Sequence, residues 1–407
     1  MAKLGTIDRW SILATAFVVP LVAFSFGLFS LPVFYPPLTR RFGWTHAEVA
    51  AGGAIVLLLI GGLGPVIGWL ADHFSPKIVL LGGTFTVATS LALLSRSEGL
   101  RQFYGACMLL GIGSAAVSLL PTSLLVAPLF SKQRGLAVGT INVGVGIGGL
   151  LSPLISGTLI RTRGISHAFK FLSLCMAIPL LVILVLFWIT SGKEPAESKP
   201  REVKGAHLAG RPGAMRLFWM LGISLVLVAH TMTGVQQHIV LFLTGHGIGP
   251  GRAALALSVL LGMSTLGRIL GGAAADKFSA RGSLLLSAVF LALGIVGLLV
   301  VAPNSYLIYC VVGIFGLGYG AAFNAPPLIA FEYFGLKDVG TIFGWFMLFF
   351  GVGTSTGALV SGLIYDRAGS YLFSFTFDLA MVTAALFLLL AIGGNPLARE
   401  PALSVAE

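Results

Sequence analysis

Long apolar runs and short polar segments alternate along the whole chain. A helix needs about 20 mostly apolar residues to cross the hydrocarbon core of a membrane, and each long run approaches or exceeds that length. We therefore predict an all-α membrane protein with twelve membrane-spanning helices. The predicted spans cover approximately residues 10–37, 48–71, 77–96, 101–129, 135–160, 168–190, 216–244, 252–275, 282–302, 304–331, 339–364 and 371–393.

One polar segment is much longer than the other connections. Residues 191–216 read SGKEPAESKPREVKGAHLAGRPGAMR and are rich in charge, proline and glycine, a composition typical of linkers. The segment divides the apolar runs six and six. We predict an N-terminal six-helix bundle over 1–190, a cytoplasmic linker over 191–215 and a C-terminal six-helix bundle over 216–407.

Composition supports the membrane assignment. The 407 residues are 57% hydrophobic and 10% charged, whereas soluble domains carry about 25% charged residues. The net charge of +11 does not indicate a nucleic-acid partner, because the basic residues are spread between the apolar runs. Their modest excess on one side predicts that both termini are cytoplasmic, in a multi-pass protein of a bacterial-type inner (plasma) membrane. The three cysteines lie inside apolar runs without metal-ligand spacing, so we expect no metal site.

The two halves of the chain repeat each other. GWLADHFSPK at 68–77 matches GAAADKFSAR at 272–281 at an offset of 204. An offset of 205 then aligns Pro121 with Pro326 and other small residues in three further regions. Parallel six-helix repeats are typical of one large class of transporter, in which the substrate site lies near the membrane midplane between the halves.

Arg268 is the most informative single residue. It lies deep in an apolar run, where insertion of an arginine costs about 2.5–3.5 kcal/mol. Helical periodicity places small or hydroxylated residues such as Ser264 and Thr265 on its face and bulky apolar residues on the opposite face. Arg268 therefore points into the bundle. Snorkelling to the headgroups and a structural ion pair are the alternatives to an anion-binding role.

Several motifs make a family resemblance plain. The element G-x-x-x-D-x-F-S-x-[KR], present in both halves, resembles the loop signature of the major facilitator superfamily. KQRGLAVG, GVQQH and FEYFG further resemble its bacterial monocarboxylate and oxalate–formate transporters. The resemblance implies secondary transport of a small organic anion by alternating access, with proton symport or anion exchange. It also implies that Arg268 pairs with the substrate carboxylate.

Supporting site residues follow from the same helices. The predicted substrate contacts besides Arg268 are Tyr319, His238, Asn324, Ser264, Phe29, Ser118 and Asn142. Interhelical hydrogen bonding or packing is the alternative role for each. Animal monocarboxylate carriers, which this chain also resembles, have an aspartate one turn before the arginine, where this chain has Ser264. Another group must therefore carry any coupled proton. The candidates are His238, His230 and Asp378.

The charged helix ends suggest a gate. Acidic-to-basic contacts there would hold the halves together in one state and release them in the other, and anchoring of the topology is the alternative. The predicted cytoplasmic gate comprises Asp72, Lys77, Arg134, Asp276, Lys277 and Arg281.

Three other interpretations are weaker. Oxalate exchange is disfavoured, because the exchangers' lysine in the eleventh helix is absent and one buried cation suits a singly charged anion. An efflux pump for drugs or other lipophilic compounds is the main alternative. An enzyme is not expected, since the spans lack a nucleophile–base set or metal spacing. We expect a monomer in the lipid bilayer that needs no cofactor and binds a small organic anion, with protons as possible co-substrates.

Overall fold

The structure is a computed structural model that describes residues 6–126, 134–190, 214–334 and 339–392. Every regular element in these ranges is a helix, which confirms the all-α prediction. The first half contains α1 (Thr6–Val19), a π-helix (Pro20–Phe24), α2 (Ser25–Leu28), α3 (Leu31–Phe42), α4 (His46–Gly62), α5 (Gly64–Phe74), α6 (Pro76–Leu94), α7 (Leu100–Ala116), α8 (Leu119–Val126), α9 (Arg134–Arg163), α10 (Ile165–Cys175) and α11 (Ala177–Thr190). The second half contains α12 (Ala214–Gly245), α13 (Pro250–Lys277), α14 (Ala280–Val300), α15 (Leu307–Phe323), α16 (Ala325–Phe334), α17 (Val339–Ala368) and α18 (Tyr371–Ala391).

Within the described ranges, ten helical stretches are long and apolar enough to cross a membrane. The two remaining predicted spans are divided, at Leu63 between α4 and α5 and at Asn324 between α15 and α16. Pro65 and Pro326 follow these breaks in the first turn of the continuing helix, where a missing N–H is tolerated. Within the described residues, each of the twelve predicted spans thus corresponds to one or more helices.

The internal repeat is visible in these breaks. In the first half, α7 ends before Val117 and Ser118, and α8 then carries Pro121. In the second half, α15 ends before Asn324, and α16 carries Pro326. The aligned prolines therefore follow an interrupted helix in each half, an interruption that the continuous predicted spans 101–129 and 304–331 did not include.

Side-chain contacts define two opposite sides of the bundle. Lys77 Nζ donates to Thr190 Oγ1 at 2.6 Å, so the α5–α6 turn lies beside the end of α11, next to the linker. We name this the linker side. Ser166 Oγ donates to the Ser95 carbonyl oxygen at 2.6 Å and joins two turns on the other side, which we name the far side.

Among the described residues, the most extensive contacts between the two halves form two seams rich in small residues. In the first, α4 packs against α17 so closely that a Cβ on Gly61 would lie 2.6 Å from the Gly351 Cα. In the second, α9 packs against α13, and a Cβ on Gly146 would lie 1.7 Å from Thr265 Oγ1. Small residues allow helix backbones to approach this closely inside a membrane. The Gly-rich stretches of α9 and α17 therefore let the two halves pack closely together.

Candidate substrate-binding site

Glycines fix the backbone around Arg268. A Cβ on Gly320 of α15 would lie 1.9 Å from the Ser264 carbonyl oxygen, and one on Gly267 of α13 would lie 2.2 Å from that of Leu317. The backbones of α13 and α15 are consequently in direct contact. This packing places Arg268 between the α15–α16 junction and α9 of the other half.

The Arg268 guanidinium is buried, and no counter-ion pairs with it among the described residues. The residue is 6% exposed, and its Nη1 lies 3.4 Å from the Asn142 carbonyl oxygen and 3.5 Å from Asn142 Oδ1. Charge-assisted N–H···O bonds are normally about 2.7–2.9 Å long, so both contacts are weak. Within the described ranges, Nε has no hydrogen-bond partner and no carboxylate lies within salt-bridge distance. The group is therefore a buried cation with unused donors at the seam between the halves.

Aromatic side chains cover one side of this cation. The guanidinium carbon lies 5.0 Å from the Phe323 ring centroid, within cation–π range. The Tyr319 ring lies 5.4 Å from the Phe323 ring and is almost fully buried. Asn324 Nδ2 donates to the Arg268 carbonyl oxygen at 2.7 Å and fixes the α15–α16 junction to α13. The structure thus brings together four of the predicted site residues, Asn142, Arg268, Tyr319 and Asn324, with Phe323 between them.

Two further predicted contacts lie along the same seam. Phe29 is buried between α2 and α3, and its ring carbon Cδ2 would lie 3.3 Å from a Cβ on Gly149, which in turn faces Leu261 of α13. Ser264 is one helical turn from Arg268, but its Oγ donates to the Leu261 carbonyl oxygen at 2.6 Å. Its hydroxyl is therefore engaged locally.

Ser118 and His238 have surroundings of their own. Ser118 lies in the break between α7 and α8 and accepts a hydrogen bond from Thr122 through its carbonyl oxygen. His238 is fully buried, with Nδ1 3.0 Å from the Tyr371 hydroxyl and Nε2 2.8 Å from the Ala358 carbonyl oxygen. Both ring nitrogens are thus engaged by α17 and α18 rather than by Arg268, and the predicted substrate contact of His238 remains a prediction.

The other proton-carrier candidates form a buried pair. His230 Nε2 lies 3.5 Å from Asp378 Oδ1, and both side chains are buried. Thr356 Oγ1 lies 3.1 Å from His230 Nδ1, and Ser361 Oγ donates to Asp378 Oδ2 at 3.4 Å. An Asp beside a His in a membrane interior is an arrangement that can gain and lose a proton.

The predicted gate is described only in part. Lys77 bonds to Thr190 within its own half, Lys277 is exposed with Nζ 5.5 Å from the Phe278 ring centroid, and Arg281 lies in the first turn of α14. None of these three shows a bond across the halves in the described part of the chain. The side chains of Asp72, Arg134 and Asp276 lie outside it. The gate therefore remains a prediction.

The far side, by contrast, is closed by contacts that the sequence did not reveal. Asp366 at the end of α17 accepts hydrogen bonds from the backbone N–H groups of His46 (3.0 Å) and Ala47 (2.7 Å), the first residues of α4. The His46 ring lies 4.0 Å from the Tyr365 ring. Deeper in the bundle, Tyr35 donates to Gln237 Oε1 at 3.0 Å. These bonds join opposite halves.

A capping signal gave only part of this arrangement. Thr45 and Glu48 form a capping box at the start of α4, and Thr-x-x-Glu is readable in the sequence. It predicts where the helix begins. It does not predict that Asp366 also accepts hydrogen bonds from the first turn of α4, because Asp366 comes from the other half of the chain.

Comparisons with known proteins agree with this architecture. A family model described as Major Facilitator Superfamily matches residues 16–358 and 267–404. The MFS transporter asaE of Aspergillus flavus is 25% identical over 310 residues, which cover 75% of this chain and 68% of that protein. The agnestins efflux protein AgnL12 of Paecilomyces divaricatus is 26% identical over 359 residues, covering 85% of this chain and 78% of that protein.

Solved structures show the same fold at low sequence identity. The nucleoside transporter NupG superposes with a TM-score of 0.76 at 14% identity, covering 94% of this chain and 100% of that one. A bacterial homologue of the human lysosomal transporter Spinster gives a TM-score of 0.76 at 15% identity, covering 98% and 100%. With the helices, the two seams and the family match taken together, this chain is a multi-pass membrane transporter, not an enzyme, and belongs to the Major Facilitator Superfamily.

Proposed function

We propose that this transporter carries an organic anion whose carboxylate binds Arg268, by alternating access between its two halves. One observation carries the proposal: a buried guanidinium at the α9–α13 seam, with an unpartnered Nε and no counter-ion in the described part of the chain. A buried charge is costly unless it is paired. A substrate carboxylate would supply the missing partner and could accept two parallel hydrogen bonds from the guanidinium.

The surroundings define the class of anion further. Phe323 and Tyr319 lie beside Arg268, and Phe29 lies further along the seam, so an apolar body would be accommodated next to the carboxylate. A second carboxylate would have no second cation to bind among these residues. A monocarboxylate with an apolar or aromatic body therefore fits best.

Export of lipophilic compounds is the second candidate function. The name of the relative AgnL12 describes efflux of agnestins, and another relative, from Gibberella fujikuroi, is named as a fujikurins efflux protein. These names favour outward transport. Export of organic acids would agree with the names of these relatives and with the buried cation at Arg268.

Orientation and coupling belong to the same proposal. We assign the linker side to the cytoplasm, because the basic residues are in excess there. The described contacts seal the far side, so Arg268 would be reached from the cytoplasm in this state. We assign proton binding to the His230–Asp378 pair, which lies within the second half and away from the α9–α13 seam.

The test is transport of a labelled panel by purified protein in proteoliposomes. The panel contains acetate, benzoate, oxalate and the neutral isostere benzamide, each with and without a pH gradient. We expect benzoate to be carried and benzamide to be rejected. Arg268→Lys should lower benzoate transport by about 10- to 100-fold, because loss of one charge-assisted hydrogen bond is worth about 1.5–3 kcal/mol. Arg268→Gln should abolish it.

A matched control lies on the same helix. Arg252 is half-buried at the far end of α13, where Nη2 donates to the Asn304 carbonyl oxygen at 3.0 Å. Arg252→Gln should leave benzoate transport near the parental rate. Equal transport of benzoate and benzamide, or parental transport by Arg268→Gln, would contradict anion recognition and favour the lipophilic-efflux alternative.

A further inference from the structure

A positively charged concavity lies on the far side of the molecule, separate from Arg268. It has a volume of about 360 Å³ and is formed by α3 and α9 of the first half with α12 and α13 of the second. This volume is in the range of small-molecule sites, which is about 300–1,000 Å³. Its lining residues are Val33, Pro36, Pro37, Arg40, Arg41, Gly157, Ile160, Arg161, Val240, Thr244 and Pro250. We name it the far-side vestibule.

The vestibule has the chemistry of an organic-anion site. Three arginines, Arg40, Arg41 and Arg161, line it and make it positively charged, and the lining contains no acidic residue. The remaining walls are mostly aliphatic side chains and prolines. Like charges beside low-dielectric walls raise the local concentration of counter-ions. Guanidinium groups bind carboxylates in a defined geometry, and the aliphatic walls suit an apolar body.

The position of the vestibule connects it to the proposed transport path. Gly157 lines the vestibule, and a Cβ on it would lie 2.9 Å from the Ala254 Cβ, so the vestibule sits directly on the α9–α13 seam. The seam continues through Gly149 and Gly146 to Arg268. At 1.5 Å per residue, Arg268 is about 27 Å along α13 from Pro250. The vestibule and Arg268 therefore lie at two positions along the same seam.

We propose that the far-side vestibule is a peripheral binding site for the organic anion that Arg268 carries, which rests on the proposed function. Arg161 with Arg40 and Arg41 binds the carboxylate at the far mouth of the passage, and the aliphatic walls bind its body. An anion therefore has two binding positions along one seam. The vestibule holds it on the far side before entry to, or after release from, the deep position.

The first experiment measures the vestibule without relying on transport. Thr244→Cys, in a background with the three native cysteines replaced by serine, puts a thiol in the vestibule wall. In phosphatidylcholine proteoliposomes, the thiol is modified by an anionic and by a cationic methanethiosulfonate of similar size. We expect the anionic reagent to be strongly favoured. Arg161→Gln should lower the anionic-to-cationic rate ratio about fivefold, because the reagents differ by two charges.

Arg163→Gln is the matched control. Arg163 is exposed two residues beyond Arg161 on the same helix, but it does not line the vestibule, and its substitution changes the net charge equally. It should change the rate ratio less than twofold. Equal ratios in Arg161→Gln and Arg163→Gln would overturn the proposal.

The second measurement identifies the ligand class. Benzoate should protect the introduced thiol, benzamide should not, and the protection should disappear with Arg161→Gln. Protection by inorganic phosphate as strong as that by benzoate would mean that the vestibule binds charge alone, and would overturn the organic-anion assignment. If the introduced thiol is protected only when phosphatidylglycerol is added to the vesicles, the vestibule binds a lipid headgroup, and the organic-anion assignment is equally overturned.

These results are separable from the proposed function. The thiol measurements repeated with Arg268→Gln should be unchanged, because the vestibule is formed by other residues. If Arg161→Gln has no effect while Arg268→Gln abolishes benzoate transport, the peripheral site fails alone. If Arg268→Gln transports benzoate normally, the proposed function fails, whatever the thiol measurements show.

Discussion

Replacing Asp366 tests whether the far-side contacts hold the two halves closed. The carboxylate is acceptor for two backbone N–H groups of the opposite half, those of His46 at 3.0 Å and Ala47 at 2.7 Å. Both donors lie in the first turn of α4, where the helix dipole also favours a negative charge. Asp366→Ala removes the charge and both bonds. Asp366→Asn keeps one neutral acceptor.

The magnitude follows from these bonds. A hydrogen bond to a charged group contributes about 1.5–3 kcal/mol, but Asp366 is exposed, and water competes for each bond. Discounting the pair by about half leaves about 2 kcal/mol for the closed far side. Since 1.4 kcal/mol is a factor of ten, Asp366→Ala should raise the ratio of open to closed far side about 30-fold. Asp366→Asn should give a smaller increase.

Pulsed electron spin resonance between the two halves measures this ratio. Spin labels at Arg101→Cys and Ala302→Cys, both exposed on the far side and in opposite halves, report one short and one long distance. Asp366→Ala should increase the long-distance population. Glu98→Ala removes an acidic residue on the same side that has no bond to the other half in the described ranges, and it should leave the populations unchanged. Identical distributions in the two variants would refute the reasoning.

Gly362 of α17 lies against the same first turn of α4 that Asp366 contacts. A Cβ at this position would lie 2.8 Å from the Ala47 Cα and 3.1 Å from the His46 carbonyl oxygen. Backbone on both sides leaves little room to relax. The steric and electrostatic contacts of the far side therefore act at the same place, beside the start of α4.

The spans and the orientation of Arg268 were predictable because they depend on local periodicity. Apolar run length gives the helices, and the repeat offset gives the equivalence of Pro121 and Pro326. The interruptions beside these prolines were not predicted. The small-residue face of α13 indicates where Arg268 points, and its contacts with Asn142 of the other half agree with that direction. Periodicity specifies the buried face of a helix, so these conclusions need only one segment at a time.

The sequence did not predict which side chains bond to each other across helices, because this depends on how helices distant in sequence are placed against one another. His238 is fully buried, and its ring is engaged by Tyr371 and Ala358, more than 100 residues away. Asp366 stands 320 residues from His46. A sequence pattern contains no information on which helix end faces which. The closed far side and the far-side vestibule are both formed by helix ends of opposite halves that meet in this way.

Two further substitutions test the helix packing and the proton pair. Gly320→Ala should lower the midpoint of thermal unfolding in detergent, because its Cβ would lie 1.9 Å from the Ser264 carbonyl oxygen. Such overpacking costs about 1–3 kcal/mol. Gly272→Ala is the control and should not lower the midpoint, because nothing lies within 4 Å of its Cβ. Asp378→Asn removes the buried carboxylate 3.5 Å from His230 while keeping a similar shape. If this pair carries the coupled proton, benzoate accumulation driven by a pH gradient should be lost, whereas exchange of internal for external benzoate should persist, because exchange requires no net proton movement. Accumulation that still follows the pH gradient in Asp378→Asn would exclude Asp378 as the proton carrier, and loss of both activities would indicate a structural role for the pair.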